Sequence, residues 1–123
     1  MPATAAGRLM LRTLGHACLA LYRDGERPLL LTDPWLVGSV YWRSWWLQNY
    51  PSDAELNWLA GAGFVYVTHE HPDHFHMPSI RRLGRGPRYL FPRLSEPGFR
   101  AYMASQGYDA ELVPPAAWRR TPM

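Results

Sequence analysis

Lysine is absent from this chain of 123 residues, and cysteine occurs once, as Cys18. A single cysteine excludes a disulfide within one chain and a zinc site built from several thiolates. Cys18 lies in an apolar run that is typical of a strand, so we interpret it as a small core residue in preference to a nucleophile. This cysteine usage favours a reducing compartment, the cytoplasm, as the location.

Long apolar runs are also missing. No uninterrupted run reaches the roughly 18 residues of a membrane-spanning helix, so we expect no membrane span. The N-terminus carries no long apolar stretch beside a basic segment, so we expect no signal peptide. Hydrophobic residues nevertheless make up 47% of the chain, which argues against disorder and predicts one domain with a buried core.

The net charge of +3 comes from 13 arginines set against 10 acidic residues. Four of the arginines form a basic cluster that could meet phosphates: Arg81, Arg82, Arg85 and Arg88. A solvated surface is the interpretation that we prefer for this cluster. Nucleic acid is therefore not the partner that we expect.

Metal-ligating residue types are concentrated in the segment Thr-His-Glu-His-Pro-Asp-His at positions 68–74, directly after the apolar run 64–67. Neutral imidazole and carboxylate groups suit zinc, and also iron and manganese. The alternative is a polar loop with histidines satisfied by hydrogen bonds, which would be the better interpretation of one isolated histidine. Four ligand residues in this order after a buried strand favour a metal site.

The spacing inside this segment predicts two neighbouring cations. His69 and His71 are two positions apart, so they lie on the same side of an extended chain and can share one ion. Pro72 favours a turn that can direct Asp73 and His74 toward a second ion. Two metal ions about 3.5–4 Å apart would bind substrate and activate a bridging water. Asp73 could also orient that water as a base.

The pattern along the chain predicts an α/β (α+β) fold. Three early strands, 8–12, 18–22 and 29–32, suggest an antiparallel meander. Later strands alternate with helices and suggest parallel pairing; they are 64–68, 88–91 and 110–113. The predicted helices are 53–60, capped by Ser52 or Asp53, 78–83, ended by Gly84, and 95–106, capped by Ser95 with Pro97 in its first turn.

Aromatic residues crowd the segment 34–51, which contains Trp35, Tyr41, Trp42, Trp45, Trp46 and Tyr50. The plainer interpretation is a loop or short helix packed over the core, where the indoles supply buried area. The other interpretation is a hydrophobic wall beside the metal site that binds a sugar, a base or an acyl group. The two are compatible, and both stay open at this point.

The segment 68–74 resembles the His-x-His-x-Asp-His motif of the metallo-β-lactamase superfamily. Leu-Gly-His-Ala at 14–17 and Leu-Thr-Asp-Pro-Trp-Leu at 31–36 are similar to the Gly-His-Ala and Thr-Asp-Pro motifs of one branch. That branch contains ascorbate-6-phosphate lactonase-like enzymes, N-acyl-phosphatidylethanolamine phospholipase D and CMP-N-acetylneuraminate hydroxylase. The aromatic stretch 42–46 is most similar to the hydroxylase, and the resemblance spans roughly residues 8–118.

This resemblance implies an αββα sandwich made of two similar halves, with one or two zinc ions, or iron or manganese. It implies that His69 and His71 bind the first ion and that Asp73 and His74 bind the second. The motifs around Asp33 and His16 imply residues that steady the metal ligands. Asp33 could equally be a turn or N-cap carboxylate, and His16 a packed strand-end histidine, so both interpretations stay open. The family's later histidine, bridging aspartate and final histidine have no counterpart after residue 113.

We therefore expect one domain, 1–123, that corresponds to the N-terminal half of such a sandwich, with flexible residues at 1–7 and 116–123. Each half of a sandwich needs the other to cover the inner face of its sheet. The expected partner is a second copy of the chain or the missing C-terminal half. Two protein ligands per ion would also bind metal weakly.

Three hypotheses on function follow. The first is a metal-dependent hydrolase acting on a small-molecule or lipid-like substrate, with Asp73 as the catalytic carboxylate. The second is a non-catalytic fragment or interaction module. The third is a nucleic-acid-processing metallo-hydrolase, which the arginines permit and the aromatic segment disfavours. A hydroxylase role would need a Rieske centre with paired cysteine and histidine ligands, which one cysteine cannot provide.

Overall fold

A computed structural model of the protein describes residues 7–93 and 98–114. Residues 1–6, the predicted flexible end 116–123 and the predicted helix start at Ser95 and Pro97 lie outside the described residues. The elements are β1 (Leu9–Leu14), β2 (Cys18–Arg23), β3 (Pro28–Thr32), β4 (Ser39–Val40), β5 (Trp45–Trp46), α1 (Asp53–Leu59), β6 (Phe64–Tyr66), α2 (Met77–Leu83), β7 (Arg88–Pro92), α3 (Gly98–Ser105) and β8 (Ala110–Val113).

The main sheet has the strand order β1-β2-β3-β6-β7-β8. The pairs β1–β2 and β2–β3 are antiparallel, which confirms the predicted meander. The pairs β3–β6, β6–β7 and β7–β8 are parallel, which confirms the pairing predicted for the second half. The predicted fold class, a mixed sheet that forms half of an αββα sandwich, is therefore confirmed.

The core lies between the helices and one face of the sheet. Ala20, Leu31, Val65 and Tyr89 stand in register across four strands and are fully buried. The helices cover them with apolar side chains of the same cluster, Leu56, Leu59, Ile80, Leu83 and Met103. Full burial of a side chain of this size contributes about 1.5–3 kcal/mol, so this layer holds the sheet and helices together.

The opposite face of the sheet is apolar and partly open. Leu11, Leu21, Leu30 and Phe64 stand in register on it, since residues two apart on a strand share a face. Leu9, Leu11 and Leu19 keep 56%, 69% and 42% of their surface exposed. No described element packs over these leucines, as the helices lie on the other side.

Local signals in the sequence set the helix ends. Ser52 caps α1: its side chain accepts a hydrogen bond from the Glu55 backbone N–H, and the Glu55 carboxylate accepts one from the Ser52 N–H. This capping box confirms the predicted start of the helix. Gly84 ends α2 with a φ of 86°, a conformation that glycine adopts without steric cost.

The aromatic segment, for which a loop or a short helix was predicted, contains a short hairpin. Val40 pairs with Trp45 in the two-stranded sheet β4–β5, because β-branched and aromatic residues fit a pleated surface. Tyr41, Trp42 and Arg43 between the strands all have positive φ angles, of 53°, 52° and 67°. A left-handed conformation costs roughly 1–2 kcal/mol per residue, so this tip is strained.

Candidate metal centre

The candidate site lies at the ends of β1, β3 and β6. Strands β3 and β6 are parallel neighbours, so the segments that follow them emerge at the same edge of the sheet. The ladder extends past both strands, since the Asp33 N–H donates to the Tyr66 carbonyl at 2.9 Å and the Val67 N–H donates to that of Leu90 at 3.0 Å. This brings Asp33 beside the start of the 68–74 segment.

Asp33 fixes the start of that segment. Its carboxylate is buried, with the residue 5% exposed. Oδ1 accepts a hydrogen bond from the Thr68 N–H at 2.7 Å, and Oδ2 accepts one from the Thr68 hydroxyl at 2.9 Å. Asp33 has a φ of 36°, in a region where aspartate and asparagine are several-fold enriched. The carboxylate is thus directed into the fold.

His74 lies between two carboxylates. Its Nδ1 is 3.0 Å from Asp33 Oδ2, and its Nε2 is 3.4 Å from Asp73 Oδ2. The first contact lacks the angle of a hydrogen bond, so His74 Nδ1 is a buried nitrogen without a hydrogen-bond partner among the described residues. A cation on Nε2 would place the ring proton on Nδ1, next to a carboxylate, as is usual for metal-binding histidines.

Asp73 is buried, and its surroundings favour the ionised carboxylate. Tyr41 donates its hydroxyl to Asp73 Oδ1 at 2.9 Å, and His16 Nε2 lies 3.1 Å from Oδ2. Burial raises the pKa of the Asp73 carboxyl, but the hydrogen bond from Tyr41 and the neighbouring His74 and His16 outweigh burial, and the pKa falls below its usual value. One carboxylate oxygen is therefore held by a phenol, and the other faces two histidines.

His16, Asp73 and His74 form a group of three donor atoms that lie within 4.8 Å of one another. Zinc bonds of about 2.0–2.1 Å in tetrahedral geometry place their donors about 3.3 Å apart. The two nitrogens stand 3.1 and 3.4 Å from Asp73 Oδ2. Nitrogen and oxygen donors at these separations fit a divalent cation, and the part of the chain that the structure describes has no second such group.

The structure brings His69 and His71 next to this group. The His69 ring centroid is 4.1 Å from that of His74 and 4.7 Å from that of His71. His69 Nδ1 is 2.8 Å from the Thr68 hydroxyl oxygen. The rings are adjacent, but their nitrogens do not join the three-donor group. The predicted first ion, bound by His69 and His71, stays a prediction.

Aromatic side chains surround the donors. The His16 ring stands edge-on to Trp35 and Trp45, at centroid distances of 5.6 and 6.4 Å. The Tyr41 ring packs against Trp45 at 4.8 Å. The sequence did not indicate Tyr41 as a partner of Asp73, because 32 positions separate them and no local motif links the two.

His76, the remaining histidine, has a structural role. It is buried, and its Nδ1 lies 2.8 Å from the hydroxyl oxygen of Ser79. That oxygen accepts a hydrogen bond from the Leu36 N–H at 2.8 Å. Burial lowers the pKa of His76, and Arg81 lowers it further. His76 and Ser79 thus anchor the loop after β3 to helix α2.

Three arginines of the basic cluster contact neighbouring residues on the protein surface. Arg82 donates to Asn57 at 2.8 Å, Arg85 donates to the Gln106 carbonyl at 2.7 Å, and Arg88 pairs with Asp109 at 3.0 Å. These contacts agree with a solvated surface. Within residues 7–93 and 98–114, no helix has the length and apolar character needed to cross a membrane.

Comparison with known proteins finds a matching family and several similar proteins. Residues 10–115 match the family model described as beta-lactamase superfamily domain. The chain is 38% identical over 80 residues to cytidine monophosphate-N-acetylneuraminic acid hydroxylase of Danio rerio, covering 65% of this chain and 13% of that protein. It is 37% identical over 84 residues to the inactive human hydroxylase of that name, covering 68% of this chain and 16% of the relative. The chain thus spans a small fraction of these relatives.

Proposed function

The chain belongs to the beta-lactamase superfamily, and from that membership we propose that it is a metal-dependent hydrolase-like protein. The observation that carries the proposal is the position of Asp73 Oδ2, 3.1 Å from His16 Nε2 and 3.4 Å from His74 Nε2. Donors from two separate turns of the chain, His16 and the neighbouring pair Asp73 and His74, thus meet around one buried carboxylate. A surface loop with independently satisfied histidines would not require that convergence.

The donors would divide as follows. His69 and His71 hold the first ion, and Asp73 and His74 hold the second. We add His16, predicted as a supporting residue, to the second set because its nitrogen stands at donor distance. That set then reaches the three protein ligands that a catalytic zinc usually has.

A zinc, iron or manganese ion bound at these residues would lower the pKa of water toward neutrality. Asp33 keeps the Nε2 of His74 available by facing its Nδ1. Asp73 would hold the ion through Oδ2 and, from that position, orient the water beside it, while Tyr41 holds Oδ1. Trp35 and Trp45, which contact the His16 ring, would form an apolar wall on one side of the ion.

The substrate that we propose is a small molecule or a lipid-like molecule. The named relatives act, by their names, on a cytidine monophosphate derivative of an acidic sugar, or are inactive. A second candidate function is a non-catalytic module of a longer protein, which the partly open apolar sheet face favours. That face would receive a second copy of the chain or a further segment of a longer protein.

The experiment measures zinc, iron and manganese content and then turnover of lactone, phosphodiester and acyl-amide substrates. Asp73→Asn and His74→Ala should lower both metal content and turnover. Glu70→Gln is the matched control, since Glu70 lies in the same turn with its side chain exposed. Equal metal content in all four proteins would overturn the metal-centre proposal. Turnover that persists in Asp73→Asn would overturn the hydrolase proposal.

A further inference from the structure

The tip of the aromatic hairpin, residues 41–44, contains backbone conformations that its side chains disfavour. The Ser44 N–H donates to the Tyr41 carbonyl at 3.0 Å, which closes a four-residue turn. Both central residues, Trp42 and Arg43, have positive φ. Hairpin turns of this kind are normally made by Asn-Gly or Asp-Gly. A bulky residue with positive φ is an outlier that requires an explanation.

Packing does not explain it. Trp42 is 96% exposed, so its indole gains no burial from the strained position. Trp46 uses its indole N–H to donate to the Arg43 carbonyl at 2.9 Å, which stabilises the tip. Strained backbone conformations cluster at active sites and ligand-binding sites. The strained tip presents an uncovered indole, which indicates a binding element.

The tip is attached to the candidate metal centre. Tyr41, at the first position of the turn, donates its hydroxyl to Asp73 at 2.9 Å. Tyr41, Trp42 and Pro72 line a hollow of about 390 Å³, and Pro72 directly precedes Asp73. The hollow is open to solvent, since Trp42 at its edge is 96% exposed, so it suits a ring that lies on the indole.

The tip also offers a positive charge. Arg43 is exposed, and it forms no ion pair with any of the described residues. Its guanidinium suits a phosphate or a carboxylate. An indole beside a cation can therefore recognise a flat ring that carries an anionic group.

We propose that this hollow is a substrate subsite, in which the Trp42 indole stacks on a flat ring of an anionic small molecule and Arg43 meets its negative group. The inference rests on the proposed function for the position of the reacting group, which would lie at Asp73. The ring can be the planar base of a nucleotide, or an acidic sugar that packs its C–H face on the indole, since both combine a ring surface with an anion.

The test uses the full chain and two probes, cytidine monophosphate and N-acetylneuraminate, measured by calorimetry and by quenching of tryptophan fluorescence. Each is measured with EDTA and again with zinc. Trp42→Ala should weaken binding about tenfold or more, as expected for loss of a stacked ring. Trp58→Phe is the control, because Trp58 packs on Tyr22 away from the hairpin, and it should leave binding unchanged. Binding of cytidine monophosphate would identify the ring as a nucleotide base, and binding of N-acetylneuraminate would identify it as an acidic sugar.

A double variant, Trp42→Asn with Arg43→Gly, tests the backbone argument. Asn-Gly suits the turn, so the thermal midpoint should rise while binding is lost, a trade-off expected of a binding element. If the Trp42 variants bound the probes as tightly as the natural chain does, the subsite would be overturned. Failure of both probes to bind the natural chain would overturn it as well. Trp42-dependent binding in EDTA, in a chain that takes up no metal, would leave the subsite standing and remove the metal-centre proposal alone.

Discussion

Asp33 Oδ2 and His74 Nδ1 lie 3.0 Å apart, and this contact joins the end of β3 to the turn after β6. The same carboxylate binds both the N–H and the hydroxyl of Thr68. One buried side chain therefore fixes where the 68–74 segment begins and how the His74 ring is oriented. Asp33 therefore links the end of β3 to His74, while Tyr41 holds the neighbouring Asp73.

Asp33→Asn should weaken zinc binding about 10–100-fold, the usual effect of losing such a supporting partner. Asparagine tolerates the positive φ and keeps one oxygen for Thr68. Its amide nitrogen would face His74 Nδ1 and favour the tautomer with the proton on Nε2, which cannot bind metal. Chelator competition measures the affinity. Asp109→Asn, which alters only a surface ion pair, should match the natural chain; unchanged affinity in Asp33→Asn would refute the role.

Cys18 should resist thiol reagents in the folded chain. Burial raises the pKa of its thiol to about 12, with Asp33 adding to the effect. Because the pKa is raised, the thiol stays protonated at pH 8 and the reactive thiolate is scarce. Ellman's reagent should find no thiol in the native protein and one in denaturant. Rapid native labelling would show that Cys18 is accessible and activated.

Ser52→Ala should lower the free energy of unfolding by about 1 kcal/mol, because α1 loses its cap. The pKa of Glu55 is held below its usual value, chiefly by the Ser52 N–H. The contribution of the capping box is therefore present at neutral pH and is lost as the pH falls through that lowered pKa. Denaturant titrations at several pH values measure this. Ser52→Asp should retain most of the stability, and an equal loss in both variants would contradict the capping argument.

Leu11→Lys with Leu19→Lys should reduce self-association of the chain. Both side chains lie on the open sheet face and are largely exposed, so charge there opposes apolar contact. Sedimentation and binding of a hydrophobic dye report the change. Tyr102→Lys, an exposed aromatic position on α3, is the control. A natural chain that is monomeric and binds no dye at high concentration would contradict the expected need for a partner.

The elements that could be predicted from sequence are those with local signals. Ser52 and Glu55 lie three residues apart and form their cap within one turn, and Gly84 marks the end of α2. The apolar runs indicate the strands, the early antiparallel meander and the parallel pairing that follows. These features depend on neighbours in sequence, so one sequence by itself reveals them.

The contacts that could not be predicted join distant segments. The Tyr41–Asp73 hydrogen bond depends on a hairpin tip that contains no glycine and adopts positive φ against the preference of its residues. His16 was expected to support the ligands, but its donor-distance contact with Asp73 depends on the turn between β1 and β2. Tertiary packing decides both, and no periodicity in the sequence encodes them.

The proposed metal centre requires that His16, Asp73 and His74 bind a divalent cation together. The most direct measurement is the zinc affinity of the natural chain and of His16→Ala, His74→Ala and Glu70→Gln, obtained by chelator competition on folded protein. We expect at least a tenfold loss of zinc affinity for each histidine variant and no change for Glu70→Gln. Zinc binding of equal strength in all four proteins, or no binding in the natural chain, would contradict it.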